Sequence, residues 1–97
     1  MSHTDCPKRL SGKSGLISGG GRGIGAGIAE LLAASGAAVM VTDVLEEPGR
    51  TVVERIREAG GQASFHHLDV TDEAQWEAAV SAAVDTFGGL DFVVNNA

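Results

Sequence analysis

A glycine-rich stretch from Ser18 to Gly27 constrains this chain more than any other feature of its sequence. The apolar residues 15–17 precede it and are compatible with a buried parallel strand. Apolar residues at helical spacing follow it, namely Ile24, Ile28, Leu31 and Leu32. In such a strand–loop–helix unit the glycine backbone can approach a diphosphate closely, and the free N–H groups of the next helix face its negative charge. The stretch therefore predicts a cofactor diphosphate site rather than a flexible linker.

Composition excludes several function classes. The 97 residues, 43% of them hydrophobic and 21% charged, are sufficient for one small globular domain. A net charge of −6 gives no electrostatic footprint for nucleic acid and disfavours an anionic membrane surface. The single cysteine, Cys6, excludes an intrachain disulfide and favours a reducing compartment. We expect a soluble, cytoplasmic protein that has no nucleic-acid or membrane partner.

Apolar runs and turn residues alternate along the chain and predict an α/β fold. Strands are expected at residues 14–18, 38–42, 63–68 and 90–94. The first helix should end near Gly36, the second should begin around Pro48, and the third should have Thr71 as its N-cap. By analogy with dinucleotide-binding folds, the parallel sheet has the order 3-2-1-4, half of a doubly wound Rossmann-type sheet in three layers. Residues 14–97 form this domain, and residues 1–13 form a flexible tail.

Each later helix carries a predicted buried stripe. In the second helix the stripe consists of Val52, Ile56 and Ala59. In the third helix it consists of Trp76, Val80, Ala83, Val84 and Phe87. We interpret the two aromatic residues of the third helix as anchors in the core.

The spacing within the glycine stretch is more specific than the stretch itself. Gly21-x-Gly23-x-x-Ala26 satisfies the general dinucleotide fingerprint, which is weak evidence alone. Gly19-x-x-x-Gly23-x-Gly25, preceded by Ser18, resembles the Thr-Gly-x-x-x-Gly-x-Gly loop of the short-chain dehydrogenase/reductase family, with serine in place of threonine. Asp69-Val70 after the third strand and Asn95-Asn96-Ala97 after the fourth look like two further motifs of that family. The resemblance extends over residues 13–97.

This resemblance implies a set of cofactor-binding residues. In the family, the Asp-Val pair holds the adenine, with the carboxylate on the exocyclic amine and the apolar side chain near the ring. The Asn-Asn-Ala motif stabilises the central sheet and contacts the adenosine side. The glycine loop and the acidic residue that ends the second strand complete the set. The predicted cofactor-binding residues are Gly19, Gly21, Arg22, Gly23, Ile24, Gly25, Asp43, Asp69, Val70, Asn95, Asn96 and Ala97.

Asp43 predicts which nucleotide is preferred. It lies roughly 20 residues after the loop, where a carboxylate can accept hydrogen bonds from the adenosine ribose and repel a 2′-phosphate. NAD is therefore the expected cofactor and NADP is less favoured, although Arg22 could pair with a 2′-phosphate. Two alternatives stay open: Asp43 could be the N-cap of the next helix, and Asp69 could be an ordinary turn residue.

Catalytic residues cannot be assigned. The resemblance implies hydride transfer between a nicotinamide and a carbonyl or secondary alcohol, with a tyrosine as acid/base, a lysine beside it and a serine that positions the substrate. The sequence has no tyrosine, and its only lysines, Lys8 and Lys13, precede the first strand. We expect the chain to be the cofactor-binding part of a longer, homo-oligomeric enzyme for a small alcohol or ketone. The alternatives are a complete non-catalytic nucleotide-binding module and an enzyme similar to 3-oxoacyl-carrier-protein reductases.

A metal site is not expected. His66, His67 and Asp69 are close in sequence, but neighbouring residues of a strand point to opposite faces. The two histidines therefore cannot easily share one ion.

Overall fold

A computed structural model describes residues 9–96, and within them parallel strands alternate with helices. The sheet has the strand order β3-β2-β1-β4, which confirms the predicted topology. All strand pairs are parallel, so the carboxyl ends of the strands meet at one edge of the sheet. The elements are β1 Ser14–Ser18, α1 Gly23–Ala34, β2 Ala38–Asp43, α2 Glu46–Glu58, β3 Gln62–His67, α3 Glu73–Phe87 and β4 Phe92–Asn95.

Alternating side chains of the central strands build a core on each face of the sheet. Ile17, Val39 and Val41 are fully buried on the face that α1 and α2 cover. Leu16 and Met40 are buried on the opposite face, against small residues of α3. A strand that is buried on both faces must be apolar at every position, which explains the uniform runs of β1 and β2. The structure thus has the three layers that were predicted.

The fully buried residues of helix α1 are small. Its buried positions are Gly25, Ala26, Ala29 and Ala33. Of the residues at helical spacing, Ile24 and Leu31 are 78% and 63% exposed, whereas Ile28 and Leu32 are partly buried against the first core. With small residues at the fully buried positions, the helix axis can lie close to the sheet and to the glycine loop. In α2 the predicted Val52 and Ile56 are buried, but Ala59 is exposed and Val53 is buried instead.

The third helix differs from the prediction in its cap and in one core position. Its N-cap is Asp72, whose side chain accepts a hydrogen bond from Gln75 N, and not Thr71. Thr71 lies one residue before the cap, and its hydroxyl donates to Asp69. Trp76 and Phe87 are partly buried against the second core, as expected of anchors, whereas Val84 is 41% exposed.

Three strands have boundaries that differ slightly from the prediction, and of these β2 ends one residue later, at Asp43. Strand β3 begins and ends one residue earlier than expected. Strand β4 begins at Phe92 because Asp91 is used in a connection to β1: its amide donates to Ser14 O at 2.8 Å, and its carboxylate accepts from Ser14 N at 2.8 Å. This connection fixes the start of β4 and, with it, the position of the asparagines at its end.

The domain begins before the predicted boundary at residue 14. The amide of Leu10 donates to Ser35 O at 2.8 Å, and its side chain packs against the first core. The predicted flexible tail is therefore corrected at its end, while residues 1–8 lie outside the described residues. Across residues 9–96, none of the helices has the length and apolar character needed to span a membrane.

Candidate functional site

The glycine loop turns sharply between β1 and α1. Gly20 N donates to Thr42 O at 2.9 Å, which ties the loop to the end of β2. Gly23, the first residue of α1, has a φ of 54°, a conformation that residues with a side chain rarely adopt. The turn therefore brings the N-terminus of α1 to the carboxyl edge of the sheet.

Gly25 allows α1 to contact the loop backbone directly. A Cβ atom at this position would collide with the carbonyl oxygen of Gly19 and would lie 2.6 Å from Asn96 Nδ2. Asn96 Nδ2 also donates to Gly19 O at 3.3 Å, so the end of β4 holds the same carbonyl. The loop, the helix and the fourth strand meet at this point, and only glycine fits between them.

The N-terminus of α1 is suited to an anion. Its N-cap, Arg22, makes no side-chain capping bond, and its first turn holds no acidic residue. In contrast, α2 has Glu46 and Glu47 in its first turn, and α3 has an aspartate cap. Since the first N–H groups of a helix lack partners within the helix, those of α1 can bind a diphosphate.

Asp43 is a buried carboxylate at the end of β2. Its side chain is 3% exposed; Oδ2 accepts from Gly21 N at 3.1 Å, and Oδ1 accepts from Leu45 N at 3.1 Å. Arg22 lies 3.8 Å from Oδ1 with a side chain that is 61% exposed. The alternative role as a helix N-cap is wrong, because α2 begins at Glu46 with Leu45 as its cap. The carboxylate instead links the glycine loop to the segment that follows β2.

Asp69 lies in the turn between β3 and α3. Its Oδ1 accepts from Thr71 Oγ1 at 2.7 Å and from Thr71 N at 2.9 Å. The pKa of Asp69 is lowered, most by the hydrogen bond from the Thr71 hydroxyl, next by the bond from the Thr71 amide, and least by nearby His67. Desolvation raises this pKa, but its effect is smaller than that of either hydrogen bond. Its Oδ2 accepts no hydrogen bond from residues 9–96. At neutral pH the turn therefore holds an ionised carboxylate with one oxygen available to a ligand.

The asparagines at the end of β4 have different roles. Asn95 Oδ1 accepts from Ser18 Oγ at 3.0 Å, and Asn96 N donates to Ser18 Oγ at 2.9 Å. These bonds join β4 to the end of β1, which agrees with the expected support of the sheet. Asn96 also reaches the glycine loop, while Ala97 lies outside the described residues.

A cleft of about 400 Å³ lies at this edge and brings together many of the predicted residues. Its volume is within the usual range for small-molecule sites, about 300–1,000 Å³. The predicted residues that line it are Gly19, Arg22, Gly23, Asp43, Asp69, Val70 and Asn96. Gly21, Ile24, Gly25 and Asn95 do not line it. The amide of Gly21 donates to the carboxylate of Asp43, and Gly25 lies against the carbonyl oxygen of Gly19.

Sequence reasoning missed two apolar residues of this cleft, Val44 and Leu68. Each is adjacent in sequence to a predicted aspartate, so position next to a strand end was the signal that could have identified them. They give the cleft apolar walls beside its carboxylates. No cluster of three or more potential metal ligands occurs among residues 9–96.

Two glycines of α1 provide a matched test of the close contact. We expect Gly25→Ala to lower the free energy of unfolding by about 1–3 kcal/mol, because the added methyl group has no space. An added Cβ at Gly27 meets nothing within 4 Å. Gly27→Ala should therefore raise stability by about 0.5–1 kcal/mol, through its better helix propensity. Urea unfolding followed by circular dichroism measures both, and equal effects of the two substitutions would contradict the contact.

The lowered pKa of Asp69 predicts a pH dependence. Because its pKa is lower in the folded than in the unfolded chain, the Thr71 bonds add stability above the ordinary aspartate pKa of about 3.9. That contribution is lost as the pH falls through the folded-state pKa. Thr71→Val should raise the pKa of Asp69 towards its ordinary value, as measured by NMR titration of its carboxyl carbon. Thr51→Val, which removes a hydroxyl bonded only to Glu47 O, should leave it unchanged. An unaltered Asp69 titration in Thr71→Val would disprove the assigned cause.

Comparison with characterised proteins identifies relatives of the same kind. The chain is 51% identical over 89 residues to a 2,5-dichloro-2,5-cyclohexadiene-1,4-diol dehydrogenase of Sphingobium indicum, covering 92% of this chain and 36% of the relative. It is 50% identical over 95 residues to a trans-4-hydroxycyclohexanecarboxylate dehydrogenase of Sinomonas cyclohexanicum, covering 92% and 37%. It is 49% identical over 89 residues to a 3-alpha-(or 20-beta)-hydroxysteroid dehydrogenase of Mycobacterium tuberculosis, covering 92% and 33%. The chain thus spans about a third of the length of these relatives.

Solved structures and a family model agree with these relatives. A hydroxysteroid dehydrogenase from Escherichia coli matches with a TM-score of 0.90 and 40% identity, over 93% of this chain and 38% of that structure. A dehydrogenase/reductase from Sinorhizobium meliloti 1021 matches with a TM-score of 0.89 and 43% identity, over 95% and 37%. The model of the short chain dehydrogenase family, whose members generally bind NAD(P), matches residues 13–97. The chain belongs to the short-chain dehydrogenase/reductase family.

Proposed function

We propose that this chain is the cofactor-binding part of an oxidoreductase that prefers NAD(H) and interconverts a secondary alcohol and a ketone. The observation that carries the preference is the buried carboxylate of Asp43 at the wall of the cleft. The bound nicotinamide would accept or donate the hydride. The residues of this chain would bind and orient the cofactor that carries it.

The shape of the cleft supports a dinucleotide. The uncapped N-terminus of α1 and the contact at Gly25 provide a cradle for the diphosphate. Asp43 is suited to the adenosine ribose at the end of β2, and Asp69 with Val70 is suited to the adenine beyond it. Asn96 lines the same cleft from β4. Within this proposal Gly21, Ile24 and Gly25 support the cradle, Asn95 belongs to the strand end that borders it, and Ala97 stays a cofactor-binding residue predicted from the sequence.

Charge decides between the two nucleotides. A 2′-phosphate about 4 Å from the Asp43 carboxylate would be repelled by about 4 kcal/mol at an effective dielectric constant of about 20. The only opposing cation in the cleft lining is Arg22, which is mostly exposed. An exposed pair of this kind contributes about 0–1 kcal/mol. Repulsion by Asp43 exceeds attraction by Arg22, so NADH should bind more tightly than NADPH. This preference also argues against a role like that of 3-oxoacyl-carrier-protein reductases, which usually take NADPH.

The substrate class follows from the relatives. Three of them are named for substrates that carry hydroxyl groups, a diol, a hydroxycyclohexanecarboxylate and a hydroxysteroid. We propose that the proton in this reaction is transferred by residues outside the present sequence, since the chain has no tyrosine. The family resemblance further suggests a homo-oligomer, and the single cysteine favours the cytoplasm. The alternative, a nucleotide-binding module without catalysis, makes the same prediction for cofactor binding but not for turnover.

Titration calorimetry with NADH and NADPH tests the proposal. We expect the chain to bind NADH at least about tenfold more tightly than NADPH, which corresponds to a difference in binding free energy of about 1.4 kcal/mol. Asp43→Asn removes the charge at constant size and should reduce or abolish that ratio. Asp85→Asn changes an exposed carboxylate on α3 and should leave the ratio unchanged. A folded chain that binds neither nucleotide, or an unchanged ratio in Asp43→Asn, would refute the proposal.

A further inference from the structure

The turn that carries Asp69 and Val70 is held by two side chains from the first turns of α3. Gln75 Oε1 accepts from Asp69 N at 2.8 Å. Trp76 Nε1 donates to Val70 O at 2.8 Å. Consecutive residues of the helix therefore hold consecutive residues of the turn, one through its amide and the other through its carbonyl.

Both of these side chains are themselves fixed. Gln75 Nε2 donates to Asp72 Oδ2 at 3.2 Å, so the amide group that serves Asp69 is tied to the helix cap. The Trp76 ring packs against the second core, as the side chain of Val70 also does. Two fixed side chains, one tied to the helix cap and one packed on the core, thus hold a turn that would otherwise bond to water.

These supports determine what the turn presents to the cleft. With the backbone of residues 69 and 70 held, the Asp69 carboxylate is further oriented by Thr71 through Oδ1. Its Oδ2 has no hydrogen-bond donor among residues 9–96, and both Asp69 and Val70 line the cleft. Recognition of an exocyclic amine requires this oxygen to lie within hydrogen-bond reach of one edge of the base.

We infer that Gln75 and Trp76 are positioning residues for adenine recognition, which act by fixing the backbone of Asp69 and Val70. This inference rests on the proposed function, because it assumes that adenine occupies this end of the cleft. Neither side chain lines the cleft. Their effect is on selectivity for the base and not on binding of the diphosphate, which is bound at α1.

The test compares NADH with reduced nicotinamide hypoxanthine dinucleotide, in which a carbonyl replaces the adenine amine. An oriented carboxylate should accept a hydrogen bond from the amine and repel the carbonyl. Trp76→Phe keeps a packed ring but loses the N–H donor. We expect it to lower the ratio of the affinity for NADH to the affinity for the hypoxanthine dinucleotide by about three- to tenfold. Gln75→Met, which keeps the length but loses the acceptor, should do the same. Gln62→Met, at the exposed start of β3 and far from the cleft, should not. Calorimetry measures all four proteins.

A second readout needs no ligand. Amide hydrogen exchange should show faster exchange at Asp69 in Gln75→Met, with the protection of α3 and the sheet unchanged. An unchanged affinity ratio in both α3 variants, or equal losses for both dinucleotides, would overturn the positioning role. If the wild-type chain binds neither dinucleotide, the proposed function fails, and hydrogen exchange alone then tests whether Gln75 holds the turn. Faster exchange confined to the turn in Gln75→Met would show that it does. Unchanged exchange, or faster exchange throughout the domain, would overturn this role.

Discussion

The site depends on a contact between two backbones. At Gly25, helix α1 lies so close to the carbonyl of Gly19 that a methyl group cannot be accommodated. The same carbonyl is held by Asn96 from the last strand, so the loop, the helix and the far end of the sheet are fixed relative to one another. This contact fixes the N-terminus of α1 beside the cleft, which Gly23 lines, and it requires glycine at position 25.

The two carboxylates of the site are fixed in different ways. Asp43 is held by the amides of Gly21 and Leu45, so its carboxylate is fixed beside the cleft at low exposure. Asp69 lies in a more exposed turn and is oriented by short hydrogen bonds instead. One carboxylate is fixed by burial and the other by its local turn, and each is expected to recognise a different part of the adenosine.

Much of this structure could be predicted from the sequence. Strand β1 and the ends of the strands follow from short apolar runs that stop at Ser18, Asp43 and the asparagines. The sheet order was predicted by analogy with dinucleotide-binding folds, and a parallel sheet of that order collects these ends at one edge. The hydrophobic spacing that includes Ile24 and Leu31 indicated helix α1 but not its buried face, which close packing reserves for glycine and alanine. The supports from Gln75 and Trp76 could not be predicted, because they depend on the relative position of a helix and a turn.

An NMR titration of the amide groups with NADH tests the central claim most directly. The account predicts that the largest shifts occur at Gly19, Gly23, Val44, Val70 and Asn96, all at the carboxyl edge of the sheet. Amides at the opposite edge, such as those of Gly36, Gly61 and Gly89, should remain unaffected. Shifts that cluster at that opposite edge, or that are spread evenly over the domain, would contradict the assignment of the cleft as the dinucleotide site.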